Sequence, residues 1–362
     1  MVSTRVQVES SAGTYTVAIG SGALGALPQL LDQFAPGSRR LIVSSPLVWD
    51  LHHSAFSKIP AAKDPILVSD GERSKNLTTV ARVYEALIHR EADRAVTIIA
   101  VGGGVVGDLV GFAAATYLRG VRLVHVPTTL LAQVDSSIGG KVGVNHAVGK
   151  NLIGAFHQPR LVVADTDVLA TLPRREFRAG LYEVIKYGVI ANASLLDRVE
   201  TSLPMIFDRD APTLAYLVSE SCRIKADVVA RDERESGLRR VLNFGHTLGH
   251  ALEAVTKYKR YRHGEAVAYG MLAALALGAH RGVTPADAER RIADLVAKLG
   301  PLPPLGDLSA REIVTAVTRD KKVIAGTLHF VAATRIGATT ELTDVTEKEL
   351  KGALRSVGVT RA

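Results

Sequence analysis

At Pro173 the hydrophobic period of this chain changes, and that change constrains the fold more than any other feature. Before it, short β-branched apolar runs alternate with helical stretches. Arg5–Glu9 and Thr14–Ile19 show the period-two pattern of a hairpin, while Arg40–Ser44, Pro65–Val68, Val96–Val101 and Val121–Val126 have strand length, with helical stretches such as Leu77–Ile88 between them. Strands separated by helices predict a mainly parallel sheet covered on both faces, an α/β domain over residues 1–172. After Pro173 the period becomes helical, through Arg178–Ile190, Leu214–Ala230, Val241–Ala254, Ala266–Ala279 and Ala286–Leu299, which predicts an all-helical domain over 173–362. A short strand pair, Thr327–Ala332 with Arg335–Ile336, is expected near the end, and Pro301–Pro304 reads as a hinge or loop. The length of 362 residues also suits two domains better than one.

Composition narrows the chemistry. A single cysteine, Cys222, permits no internal disulfide and no multi-cysteine zinc or iron–sulfur site, so a metal must use His, Asp or Glu. The opening MVSTRVQVES has no basic start followed by an apolar stretch, so no secretory signal and a cytoplasmic location are expected. The longest apolar run, Ala266–Ala279, falls short of the roughly 20 residues that cross a bilayer; it predicts a buried helix and no membrane span. A net charge of +8 suits an anionic ligand, either nucleic acid or a phosphorylated, carboxylated metabolite.

Three loops could hold such a ligand. Gly102-Gly103-Gly104-Val105-Val106-Gly107-Asp108 follows a strand and leads into a helix, where backbone N–H groups can bind a pyrophosphate. It has the GxGxxG spacing but lies after a late strand, with no acidic residue about 20 positions on to take a ribose; a ligand-free strand-to-helix turn gives the same local pattern. Asp70-Gly71-Glu72-Arg73-Ser74-Lys75 offers acids for a ribose and a lysine for phosphate at the same kind of strand end. The stretch from Pro127-Thr128-Thr129 through Asp135 and Lys141 to Lys150-Asn151 is rich in Gly, hydroxyls and lysine, fit for a phosphate or polyol site or for an ordinary polar loop.

In the helical half, Arg239, Asn243, His246, His250 and Glu253 fall at helical spacing on one predicted polar stripe. Short Asn and His stand where a solvated face would more often carry Lys and Glu. His246-Thr247-Leu248-Gly249-His250 lacks the Glu of HExxH, which excludes that peptidase chemistry. Two imidazoles on one face, with His263 opening the next apolar helix, point to a metal site. Glu183 and Lys186, at i and i+3, form either a surface ion pair or, among apolar neighbours, a buried one in which Glu183 needs a cation; a metal held by one carboxylate and two imidazoles would supply it. The basic run Lys257–Arg262 is compatible with nucleic-acid stacking or with an exposed loop.

Together the segments GGGVVGDLVGFAAATYLRG, VPTTLLAQVDSSIGGKVGVN, GKNLIGAFHQP, YEVIKYG, LNFGHTLGHALE, HGEAVAYGM and DKK, spread between residues 70 and 322, closely resemble the 3-dehydroquinate synthase family of sugar-phosphate cyclases. The resemblance implies a Rossmann-like NAD-binding α/β domain followed by a helical domain, a cytoplasmic homodimer, and conversion of 3-deoxy-D-arabino-heptulosonate 7-phosphate to 3-dehydroquinate and phosphate. It implies that Glu183, His246 and His263 bind zinc or cobalt, and so replaces the two-histidine reading, with His250 on the substrate side. NAD would lie on Asp70, Gly71, Glu72, Arg73, Ser74, Lys75, Gly104, Val105, Val106, Gly107, Asp108, Thr128, Thr129, Lys141, Lys150, Val168, Leu169, Ala170 and Thr171. The substrate phosphate would be held by Lys141, Asn151, Lys186, Asn243 and His250, with Arg119 from a second subunit. Lys225 and Arg239 would take the carboxylate, Asp135 the hydroxyls, and one of Lys321 and Lys322 would add a further substrate contact. The partner so implied is a small phosphorylated sugar acid, without nucleic acid or membrane. Rival readings, in falling order, are another cyclase making a deoxy-inosose or valiolone, a polyol dehydrogenase of the same fold, and a nucleic-acid binder.

Overall fold

A computed structural model describes residues 2–37, 39–318, 323–324 and 327–361. The chain begins β1 (Thr4–Ser10), β2 (Gly13–Gly20), α1 (Leu27–Phe34), β3 (Arg40–Ser44), α2 (Pro46–His52), β4 (Ile66–Leu67) and α3 (Leu77–His89). There follow β5 (Thr97–Gly102), α4 (Gly104–Thr116), β6 (Arg122–Pro127), β7 (Lys141–His146), β8 (Gly149–Phe156) and β9 (Leu161–Asp165). Helices then dominate: α5 (Arg174–Ala191), α6 (Ala193–Thr201), α7 (Leu203–Phe207), α8 (Ala211–Arg231), α9 (His246–Val255), α10 (His263–His280), α11 (Ala286–Leu299) and α12 (Ala310–Thr318). Two short strand pairs, β10 (Val323–Ile324) with β11 (Thr327–Leu328) and β12 (Phe330–Arg335) with β13 (Ala338–Leu342), precede α13 (Glu347–Ser356).

Two compact units emerge. The first joins Met1–Pro173 with Pro204–Glu233; the second joins Arg174–Leu203 with Arg234–Ala362. The change of period predicts one boundary at Pro173, whereas the chain returns to the first unit for α8, which packs on β1 and β2. Periodicity identifies a helix without saying which core takes its apolar face.

The first unit is built on a seven-stranded sheet in the order β1-β2-β9-β6-β5-β3-β4, parallel except for the β1–β2 hairpin. Every residue of β5 is buried because both faces of the sheet are covered. Ile98 and Ala100 join Val80, Val83, Leu109 and Val110 on one side, while Ile99 and Val101 join Leu27, Leu31 and Phe56 on the other. From β3 the chain proceeds to one side of the sheet and from β5 to the other, so the crevice beyond the carboxyl ends of these neighbours is a topological switch point, the usual ligand position in such sheets. The Gly102–Asp108 loop leaves β5 there.

The stretch read as a polar loop contains the β7–β8 hairpin. Its Gly143, Gly154, Lys150 and Asn151 mask a period-two signal that survives in β7, where Val142 and Val144 are buried. The hairpin lies so close to α4 that a Cβ on Gly111 would come within 2.3 Å of Val142.

The second unit is helical apart from its short strands. α5 is buried almost continuously from Phe177 to Ile190, which explains apolar residues all round it. The continuous helix expected over Val241–Ala254 is broken: Leu238–Asn243 is a 3₁₀ segment and α9 starts only at His246, because Gly245 adopts φ +77°. Only His246, His250 and Glu253 of the predicted stripe therefore share a helix. The return strand pair is present, shifted to β12 and β13.

Candidate active site

The loops nominated for a nucleotide all follow carboxyl ends of strands: Asp70–Lys75 after β4, Gly104–Asp108 after β5, Thr128 and Thr129 after β6, and Val168–Thr171 in the 3₁₀ turn after β9. Lys75 draws three of the nominated residues together. Its buried Nζ donates to Asp108 Oδ2 at 2.6 Å and to Asn151 Oδ1 at 2.5 Å, linking the loop after β4 to α4 and β8. Burial raises the Asp108 carboxyl above its ordinary range, against the pull of the Lys75 ammonium. Beside this cluster, Glu72 Oε1 accepts from Asn145 Nδ2 at 2.8 Å and lies 3.6 Å from Lys150 Nζ, and Asn145 Oδ1 accepts the Asn151 N–H at 3.0 Å. Asn145 had no distinguishing signal in the sequence; it is an amide in what looks like a polar turn.

Asp135 belongs to a π-helical turn, Ala132–Ser136, and Lys225 on α8 donates to both its carbonyl and its Oδ1, at 2.7 and 2.6 Å. Such turns recur at functional sites because they aim side chains that a regular helix would not. A Cβ on Gly104 would stand 3.0 Å from Ser136 Oγ, which brings the glycine-rich turn against this segment. Lys141 opens β7 at an exposed position. Asp70, Gly71 and Arg73 are exposed, Ser74 is buried and bonds the Gly71 carbonyl, and Thr171 bonds His52. Arg119 does not join this group. It sits, exposed, in a left-handed turn beyond the far end of α4, about 20 Å of helix from Gly104.

In the second unit, α5 supplies Glu183 and Lys186, which are fully buried and paired at 2.5 Å between Lys186 Nζ and Glu183 Oε2, so the pair is not a surface one. The other carboxylate oxygen, Oε1, lies 3.5 Å from His246 Nε2 and 3.6 Å from His263 Nε2. Ligand atoms about 2.0–2.1 Å from a tetrahedral zinc stand about 3.3–3.4 Å apart, close to the separation of Glu183 Oε1 from each of the two imidazole nitrogens. Donor atoms of His246, His250 and His263 also lie within 4.8 Å of one another, which keeps His250 beside the group. Burial would pull the His263 imidazole down, but the Glu253 and Glu183 carboxylates outweigh it and push the group up to about 10. The carboxylate–imidazole donor set and its spacing therefore fit a divalent metal.

Arg239 is buried in the 3₁₀ segment before α9, and Asn243 at its end donates Nδ2 to Glu235 Oε1 at 2.7 Å. Glu235 escaped the sequence reading because it lies in a charged run that resembles a solvated surface. Lys321 and Lys322 lie outside the described residues.

Known structures with this architecture include 2-epi-5-epi-valiolone synthase from Streptomyces hygroscopicus subsp. jinggangensis with NAD⁺ and Zn²⁺ bound, 30% identical with a TM-score of 0.86 over 95% of this chain and 96% of that one. A 2-deoxy-scyllo-inosose synthase complexed with carbaglucose-6-phosphate, NAD⁺ and Co²⁺ is 26% identical, with a TM-score of 0.82 over 98% and 99%. The fold is thus the one that these sugar-phosphate cyclases share. Two family models narrow this, 3-dehydroquinate synthase N-terminal over residues 65–179 and 3-dehydroquinate synthase C-terminal over 180–323, and a 3-dehydroquinate synthase of Microcystis aeruginosa is 46% identical over 90% of this chain and 91% of its own length. The chain belongs to the 3-dehydroquinate synthase family. It is accordingly a lyase that eliminates phosphate as it forms a carbocycle. Among the described residues no helix is long and apolar enough to cross a membrane.

Proposed function

We infer that this chain converts 3-deoxy-D-arabino-heptulosonate 7-phosphate to 3-dehydroquinate and phosphate with catalytic NAD and a divalent metal, zinc or cobalt. The observation that carries the metal-dependent reading is the approach of Glu183 Oε1 to both imidazole Nε2 atoms at tetrahedral spacing. Glu183, His246 and His263 would hold the metal. The segments Asp70–Lys75, Gly104–Asp108, Thr128–Thr129 and Val168–Thr171, with Lys141 and Lys150, would hold the nucleotide. When bound, NAD supplies a hydride acceptor that later returns the hydride, and the metal supplies a Lewis acid for the hydroxyl oxidised in between.

The chain's own residues then bind, orient and stabilise charge. Arg239 and Lys225 pair with the substrate carboxylate, the planar guanidinium giving a fork of donors. Lys141, Asn151, Lys186, Asn243 and His250 surround the phosphate, and a second copy contributes Arg119, so the working form is a homodimer in the cytoplasm. These donors stabilise the dianion as the C–O bond to carbon breaks, in the manner of a preorganised cationic cage. Asp135 orients hydroxyls, and one of Lys321 and Lys322 adds a substrate contact. Loss of phosphate and closure of the ring leave the substrate's overall oxidation level unchanged.

A single cuvette tests the reading: heptulosonate phosphate with substoichiometric NAD, followed for phosphate release and NADH absorbance. Phosphate in large excess over total NAD, with dehydroquinate as product, is expected. Steady NADH accumulation in proportion to substrate consumed would overturn the synthase reading in favour of a dehydrogenase, and a different carbocycle would assign another cyclase.

A further inference from the structure

His263 has two ring nitrogens, and each meets a different carboxylate. Nε2 is 3.6 Å from Glu183 Oε1, while Nδ1 is 3.1 Å from Glu253 Oε2. His246 presents the same Nε2 to Glu183, at 3.5 Å, while its Nδ1 meets a neutral group of its own segment, the Phe244 carbonyl at 3.1 Å. The two imidazoles are thus oriented alike by unlike partners. Glu253 follows His246 by seven residues, two turns of α9, and therefore lies on the same face. It is 4% exposed, too deep to serve as a solvated surface charge.

The backbone fixes this arrangement. A Cβ on Gly270 would fall 1.8 Å from the Gly245 carbonyl oxygen, and one on Gly249 would fall 3.1 Å from the Ala266 carbonyl oxygen, so α9 and α10 approach as closely as their backbones allow. His263 is the first residue of α10, and Glu253 meets it there from the third turn of α9.

We propose that Glu253 is a positioning residue for the metal centre: His263 Nδ1–H donates to Glu253, which holds the Nε2 lone pair toward Glu183 and His246 and places a second carboxylate charge behind the site. With Glu183 this gives two negative charges to one divalent cation. An imidazole hydrogen-bonded to a carboxylate is also a better donor than one bonded to a carbonyl, so His263 is the stronger of the two imidazole ligands. This rests on the metal-dependent reading above.

The test uses the full chain, stripped of metal and reloaded with zinc or cobalt alone. Competition with a chromophoric chelator reads zinc affinity, and the visible spectrum of the cobalt form reads ligand geometry. Glu253→Ala is expected to weaken zinc binding by about 10- to 100-fold. Glu253→Gln keeps an acceptor oxygen and loses the charge, so it should fall between wild type and Glu253→Ala and shift the cobalt bands. Wild-type affinity and an unshifted cobalt spectrum in both variants would overturn the proposal while leaving the metal site intact. A wild-type chain that binds neither metal stoichiometrically would remove the metal-dependent reading and this proposal together. Where circular dichroism finds Glu253→Ala unfolded, the nearly isosteric Glu253→Gln decides alone.

Discussion

Asp108 and Glu183 are both carboxylates on helices, one in each unit, and both are paired with a lysine. Their surroundings differ. Asp108 shares the Lys75 ammonium with Asn151, a local set in which one cation serves one acid and an amide. Glu183 gives one oxygen to Lys186 and turns the other toward two imidazoles, with a second acid, Glu253, behind one of them. The first arrangement ties together the loops proposed to hold the nucleotide; the second gathers donors around a point and is suited to a divalent ion. A buried ion pair is therefore weak evidence for a site until the remaining lone pairs have been traced.

That contrast breaks most sharply at Glu183. Glu183→Ala should lose stoichiometric metal and lower the rate of phosphate release by about a thousandfold or more, since a Lewis acid contributes several kcal/mol to the transition state. Metal analysis beside the phosphate assay checks it, and full metal content with normal turnover would place the ion elsewhere. In the other unit, Lys75→Met should leave the partly buried Asp108 beside an amide without its cation. A loss of about 1–2 kcal/mol in urea unfolding is expected, between the values for exposed and fully buried pairs, with partial recovery in Lys75→Met/Asp108→Leu; equal stability of wild type and single variant would mean that the pair is solvent-screened.

His250→Ala sharpens the comparison within the second unit, because it should retain metal while turnover drops about a hundredfold, as for a group that moves a proton or holds the leaving group. Loss of metal in that variant would return His250 to the ligand set. The last effect is a pH dependence confined to the first unit. Burial, reinforced by His157, lowers the His125 imidazole to about 4 in the folded chain, against about 6.5 when unfolded. Between those values the unfolded chain binds more protons, so stability is full above about pH 6.5 and falls as pH drops, by about 2 kcal/mol at pH 5. Urea midpoints at pH 7 and 5 should converge in His125→Phe if this residue carries the dependence.

Much of the first unit was legible because parallel strands covered on both faces read as unbroken β-branched runs. The β7–β8 hairpin was not, since Gly143, Gly154 and Lys150 dilute its alternation and only packing on α4 reveals its inner face. In the second unit, spacing alone grouped His246 with His250, four residues apart. Glu183 and His263 stand on other helices, and no local period relates them to His246: Glu183 was nominated by a charge among apolar neighbours, His263 by its place at the start of the next apolar helix, and the family resemblance then put His263 in place of His250 as a ligand. Gly245 divided a helix whose heptad pattern continued through it, because the polar stripe records side-chain type and is silent on φ. Glu235 and Asn145 resemble surface polar residues until their partners are located.

The chain passes from the first unit to the second at Pro173, back at Leu203 and out again at Glu233. During synthesis the α/β unit consequently cannot complete its structure when its last strand leaves the ribosome. α8, with Lys225 and Gln158's partner Glu233, arrives some tens of residues later, after α5 has already been made. A gene fragment stopped at Pro173 would encode a sheet lacking the helix that packs on β1 and β2, and one starting at Arg174 would carry that helix without its sheet. Splitting this protein into independently expressed halves thus requires rejoining the Pro204–Glu233 segment to the first half through a new linker, not a cut at the place where the sequence changes its rhythm.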